Sequence, residues 1–195
     1  AEIAERYAEL GAPPVAVRSS AVGEDSAEAT FAGQQETYLW VRGADAVCDA
    51  VRDCWASTYS APAMTYRARL ARGGAPEMGV TIQRMVDATV SGVMFTCNPV
   101  SGDPSVIAVN ASWGLGLAVV GGEVTPDEYL VSRVTREVVR RTISPKHVEY
   151  RPAGDGSGTV ALPVAEERQR EPSLGEEQLA ALVDVARLVQ RHFGG

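Results

Sequence analysis

The sequence has no apolar run approaching the roughly 18–20 residues that cross a bilayer. Its opening, AEIAERYAEL, reads as a charged amphipathic helix rather than a signal peptide, so a cytoplasmic protein is expected. Basic charge is scarce: 18 Lys and Arg stand against 25 Asp and Glu, a formal net charge of −7. That balance excludes a general nucleic-acid or anionic-membrane surface, and any anionic ligand must be held locally. The three cysteines, Cys48, Cys54 and Cys97, form neither an even disulfide set nor a CxxC pair and read as packed thiols. His147 and His192 lie far apart among polar or charged neighbours, and GxSxG and HExxH are absent. Ser–His, Cys–His and zinc chemistries are therefore unsupported, and no metal-ligand set is read. GxxxxGK[ST] and a GxGxxG after the first strand are missing too, which removes the two common nucleotide folds. An initiator Met is lacking and the last residues are HFGG, the pattern expected of a piece of a longer polypeptide.

What is present suffices for a core: 195 residues, 45% of them hydrophobic. Apolar spacing predicts a helix over 2–10, a short buried strand at 15–17 and a second strand at 36–41. Between those strands lies a loop of small and polar residues, longer than packed domains usually hold unless it is functional or disordered. Helices are expected over 44–59, with Val47, Val51, Cys54 and Trp55 inward, and over 61–72. From Met78 the period changes to two, and about five strands follow in succession to residue 144. Residues 151–172, rich in Pro, Gly and charge, read as a long surface excursion. A last amphipathic helix covers 175–193 on a stripe of Leu179, Leu182, Val183, Ala186 and Val189. The order predicts an α+β architecture of two subdomains sharing a cleft, divided into 1–75 and 76–195.

Three loops that follow apolar strands attract attention: RSSAVGED, CNPVSGD and NASWGLGLAVVGG. Glycine permits close backbone approach, and free N–H groups at such turns cradle phosphate. Arg18 is the lone cation between Arg6 and Arg42 and directly follows the expected first strand. Its guanidinium suits either a fork onto two phosphoryl oxygens or an ion pair with Glu24 or Asp25. Gly33 and Thr37, in GQQETY, suit either turn chemistry or ligand contact. Met85 and Val86, in IQRMV, fit either plain core or the apolar face of an adenine whose edge the backbone there could read.

Taken together, VAVRSSAVGEDSAEATFAGQQETYL, QRMV, SGVMFTCNPVSGD, NASWGLGLAVVGGEVTPDEY and ISPK resemble the pyruvate phosphate dikinase and phosphoenolpyruvate synthase family, in its N-terminal nucleotide-binding module. Rifampin phosphotransferase opens with the same module. The resemblance runs from about Leu10 to the end and implies an ATP-grasp fold, here incomplete at both ends. It implies ATP and Mg²⁺ as cofactors, with Arg18 on the ATP phosphates as both a catalytic and a binding residue. By the same token Gly33 and Thr37 are ligand contacts under a lid formed by the FAGQQ loop, and Gln83, Met85 and Val86 form the adenine hinge.

The family activity so implied is phosphoryl transfer from ATP to a histidine of a separate swivelling domain. A third domain then holds the acceptor, pyruvate or, in the rifampin enzymes, the antibiotic. Departures accompany the matches. The family's Gly-Gly-Lys segment and its terminal Asp-x-Glu and Gln-x-Arg elements have no counterpart here, and Leu117 stands where Gly-Leu-Gly-Glu has its Glu. A module that senses nucleotide without catalysis is the alternative from another class.

Overall fold

The computed structural model describes residues 1–21, 25–26, 29–30, 36–61, 63–65, 78–154 and 156–193. Two compact units divide the chain, Ala1–Val86 with Pro152–Thr159, and Asp87–Arg151 with Val160–Gly195. Among the described residues no helix is long and apolar enough to cross a membrane.

In the first unit, α1 (Glu2–Glu9) ends at Gly11, whose φ of +87° suits a residue without Cβ. A three-stranded antiparallel sheet follows, ordered β4-β1-β5, from β1 (Val15–Ala21), β4 (Thr37–Val41) and β5 (Met78–Arg84). A small ribbon, β2 (Asp25–Ser26) with β3 (Ala29–Thr30), lies in the stretch expected to be loop. Helix α2 (Ala44–Ser57) buries Val47, Ala50, Val51 and Cys54 with Tyr7, Val15 and Val17 on one face of the sheet. Trp55, expected inward, is 49% exposed; the buried stripe continues to Thr58 instead. Tyr7 ties the unit together, its hydroxyl donating to the Pro13 carbonyl at 2.8 Å and accepting from the Gly43 N–H at 3.2 Å. Of the helix expected over 61–72, residues 61 and 63–65 are helical and the remainder lies outside the described residues.

β1 corrects the expected strand, which ended at residue 17. Its alternation continues with Ser19, a small residue on the core side, 7% exposed, whose hydroxyl donates to the Glu36 carbonyl at 3.1 Å. A satisfied serine fills an inward position as well as a valine does, but it breaks the apolar pattern that marks a strand in sequence.

The second unit holds a four-stranded antiparallel sheet ordered β6-β7-β8-β9: β6 (Val90–Phe95), β7 (Val106–Trp113), β8 (Asp127–Ser132) and β9 (Val138–Thr142). These four and β5 are the five expected strands. A short helix, α3 (Leu117–Val120), follows β7. The surface excursion expected over residues 151–172 carries secondary structure. β10 (Val148–Pro152) and β11 (Thr159–Pro163) pair as a ribbon, and α4 (Glu166–Gln169) follows. Gly156 and Gly158, both at positive φ, make that turn possible. Helix α5 (Glu176–Phe193) lays Leu179, Val183 and Ala186 on Ile107, Val109, Tyr129 and Val131, while Val189 of its expected stripe is 41% exposed.

Inside this unit the chain's one lysine, Lys146, is fully buried. Its Nζ donates to Asp127 Oδ1 at 2.7 Å and to the Ser144 carbonyl at 3.0 Å. Asp127, equally buried, also accepts from the Ser144 N–H at 3.1 Å, the Ser173 N–H at 2.8 Å and the Tyr129 hydroxyl at 3.2 Å. Two charges taken from water are tolerated when paired and hydrogen-bonded, and here the ammonium makes two such bonds and the carboxylate four.

Candidate functional site

The side of the β4-β1-β5 sheet opposite α1 and α2 carries the candidate residues. Strand pairing sets Arg18 of β1 directly across from Thr37 of β4, and the two side chains share a face. Arg18 lies mid-strand rather than just after a strand, because β1 runs on to Ala21. On its other flank β5 pairs Gly79 with Ser20, Thr81 with Arg18 and Gln83 with Ala16. Arg18, Ser20, Thr37, Thr81 and Gln83 are all exposed, and none of their side chains makes a hydrogen bond or an ion pair with another described residue. By contrast Val80 and Ile82, the alternate residues of β5, pack on the core. The result is one cation flanked by two hydroxyls, with an amide on the diagonal about 7–8 Å away between Cα atoms.

Met85 and Val86 follow directly on the end of β5. The Met85 N–H donates to the Pro14 carbonyl at 2.9 Å, so it is already committed within the unit, while its side chain is half-buried. Val86 is 73% exposed. Gly33 and the rest of the FAGQQ string lie outside the described residues, as do Glu24 and the side chain of Asp25, the acids weighed as partners of Arg18. The structure thus brings together Arg18, Thr37 and Gln83, with Met85 and Val86 at the end of the same strand.

Of the loops read as phosphate cradles, CNPVSGD spends its N–H groups within itself, and the third commits those of Gly114 and Leu115 to backbone outside the loop. In CNPVSGD the Asn98 side chain accepts from the Val100 and Ser101 N–H groups at 3.0 and 3.3 Å, and the Gly102 N–H donates to the Asn98 carbonyl at 2.8 Å. In the third loop Gly114, at φ +75°, donates to the Thr89 carbonyl at 2.8 Å, and a Cβ there would meet the Tyr150 carbonyl oxygen at 2.5 Å. That glycine serves a close approach of two backbones, not a ligand. Leu117 opens α3 and is half-buried. An apolar cavity of about 170 Å³ beneath β6, lined by Val90, Met94, Val109, Ala111, Leu174 and Leu182, offers no cation for an anion.

Among the described residues no three His, Cys, Asp or Glu side chains converge. Cys54 is buried, and burial, with the negative charges of Glu36 and Asp53 behind it, pushes its thiol pKa up, the wrong direction for a thiolate nucleophile. Thr81 is the residue that sequence reading passed over. Its signal, alternation in MGVTIQR, was visible, but only the pairing with β1 places it beside Arg18.

The family described as pyruvate phosphate dikinase, AMP/ATP-binding domain, matches residues 1–195. The phosphoenolpyruvate synthase of Pyrococcus furiosus is 46% identical over 186 residues, covering 92% of this chain and 23% of the relative. The probable phosphoenolpyruvate synthase of Pyrococcus abyssi gives the same identity and coverage. A rifampicin phosphotransferase of Streptomyces is 46% identical over 180 residues, covering 92% of this chain and 20% of the relative. The chain therefore spans about a quarter or less of the length of these curated relatives. Its mixed helix-and-sheet architecture is ATP-grasp-like, and the chain belongs to the pyruvate phosphate dikinase AMP/ATP-binding domain family.

Proposed function

We propose that this chain is the ATP-holding part of a phosphoenolpyruvate synthase-like phosphotransferase. Its parent passes a phosphoryl group from ATP to a histidine on a swivelling domain and from there to pyruvate. The observation that carries the reading is the exposed Arg18–Thr37 cross-strand pair, a guanidinium and a hydroxyl without partners among the described residues. A guanidinium forks onto phosphoryl oxygens and keeps its charge at any working pH, so Arg18 holds and neutralises the phosphates while Thr37 donates a hydrogen bond to them. Gly33 contributes close backbone approach under the lid. Gln83 meets the polar edge of adenine, and Met85 and Val86 supply its apolar bed. Since the Met85 N–H is committed to Pro14, its thioether is the contacting group.

Phosphoryl transfer is mainly positioning and charge stabilisation, and Mg²⁺ on the nucleotide supplies part of that charge. The described residues bring no carboxylate set together for the ion, so no Mg²⁺ ligand is assigned to this chain. Cytoplasm, where ATP is held, is the compartment that fits. A second reading, in which the parent phosphorylates a rifamycin-like antibiotic, is favoured by the 46% identity to rifampicin phosphotransferase.

Photolabelling with 8-azido-ATP tests the nucleotide reading on the chain itself. The expected label falls on the peptide containing residues 78–86 and is competed away by ATP. Label that ATP does not compete, or that falls only on peptides of the second unit, would overturn it.

A further inference from the structure

A threonine on an exposed strand face is ordinary; the position of Thr81 is not. It is the Cα partner of Arg18 in β5, as Thr37 is in β4, and it precedes Gln83 by two residues on the same face. Successive same-face residues of a strand stand about 7 Å apart. Thr81 therefore stands beside the side chain read as holding the phosphates, whose charge is greatest on the terminal groups, and in the interval along the strand toward the one read as meeting adenine. In any adenosine nucleotide that interval is filled by the ribose and the α-phosphate. The Thr81 hydroxyl has no partner among the described residues, and Gly79, the next position on that face, leaves the surface beside it without a side chain. Resting on the nucleotide reading above, we infer that Thr81 is a further binding residue, its hydroxyl donating to the α-phosphate or the ribose.

A contact at that place is shared by AMP and ATP, whereas one at the terminal phosphates is not, and this difference separates the two roles. Unlabelled ATP and AMP are titrated by calorimetry into the full chain and into its Thr81→Val, Thr81→Ser and Arg18→Ala variants, with thermal unfolding recorded for each. Valine keeps the branched shape and removes the hydroxyl, so the fold is expected to be undisturbed. Thr81→Val should weaken both nucleotides alike, by about two- to ten-fold where the acceptor is the ribose and by about ten-fold or more where it is the charged α-phosphate. Thr81→Ser should restore most of the affinity, and Arg18→Ala should weaken ATP far more than AMP. If Thr81→Val binds both nucleotides as the natural chain does while Arg18→Ala loses ATP, the role of Thr81 is overturned and the nucleotide site stands. If the natural chain, folded, binds neither nucleotide, the site fails and Thr81 with it.

Discussion

Each unit holds a cation beside a strand of its main sheet, Arg18 on β1 and Lys146 against Asp127 of β8, and the two are treated in opposite ways. In the second unit Lys146 is sealed from water and, with Asp127, held by backbone N–H groups, a carbonyl and a tyrosine hydroxyl. In the first unit Arg18 stands exposed between two threonines with no partner among the described residues. A buried charge without partners costs several kcal/mol, so the lysine's partners are obligatory. An exposed guanidinium is solvated at no such cost and is free to exchange water for a ligand. The Lys146 and Asp127 pair therefore serves the fold, while the exposed groups around Arg18 are those the proposed function gives to binding.

The largest effect that sharpens this contrast is expected from Lys146→Met. Removing the cation leaves the Asp127 carboxylate buried, and a loss of about 3–5 kcal/mol in denaturant unfolding follows. A loss below about 1 kcal/mol would show that the pair is dispensable and would break the contrast. Next, Gly114→Ala forces a side chain into a left-handed backbone against the Tyr150 carbonyl. About 2–4 kcal/mol should be lost from the same transition, with the ATP response of the first unit retained wherever the chain remains folded.

Tyr129→Phe is the mildest. It leaves the Leu174 N–H without its acceptor, worth about 1–2 kcal/mol near neutral pH. Burial raises the Tyr129 phenol pKa, with hydrogen bonds from Ser173 and Leu174 pulling the other way. The folded state thus keeps the proton longer than the unfolded chain. This contribution is complete below the ordinary tyrosine value of about 10 and is lost as pH rises through the higher folded value. Stability measured above pH ~10 should therefore fall more steeply in the natural chain than in Tyr129→Phe; parallel curves would contradict the assignment.

The elements legible in the sequence are those whose burial follows a simple period. α5 and the five strands from β5 to β9 announce themselves through apolar spacing. The β10–β11 ribbon does not, because Pro, Gly and charge around its turn read as loop. The end of β1 was hidden by Ser19, a polar residue doing an apolar residue's packing. The buried Lys146 was invisible for a related reason: lysine is almost never fully inside, and nothing in ISPK indicates that four groups await it and its partner.

At the candidate site, Arg18, Thr37 and Gln83 were found as residue types and through family resemblance, and the pairing of three strands places them on one face. Register is a tertiary property, since one residue of slip turns every side chain to the other face. Thr81 was passed over for that reason alone.

Calorimetric titration of Mg-ATP into the chain and into Arg18→Ala, with unfolding measured on both, tests the central claim most directly. The account predicts saturable binding by the natural chain and a loss of about 10- to 100-fold in the variant, the worth of charge-assisted hydrogen bonds. Stability should change by no more than about 0.5 kcal/mol, as for a surface substitution. Equal affinity in the two, or no heat from a folded natural chain, would contradict the claim that the exposed face of the β4-β1-β5 sheet is where ATP is held.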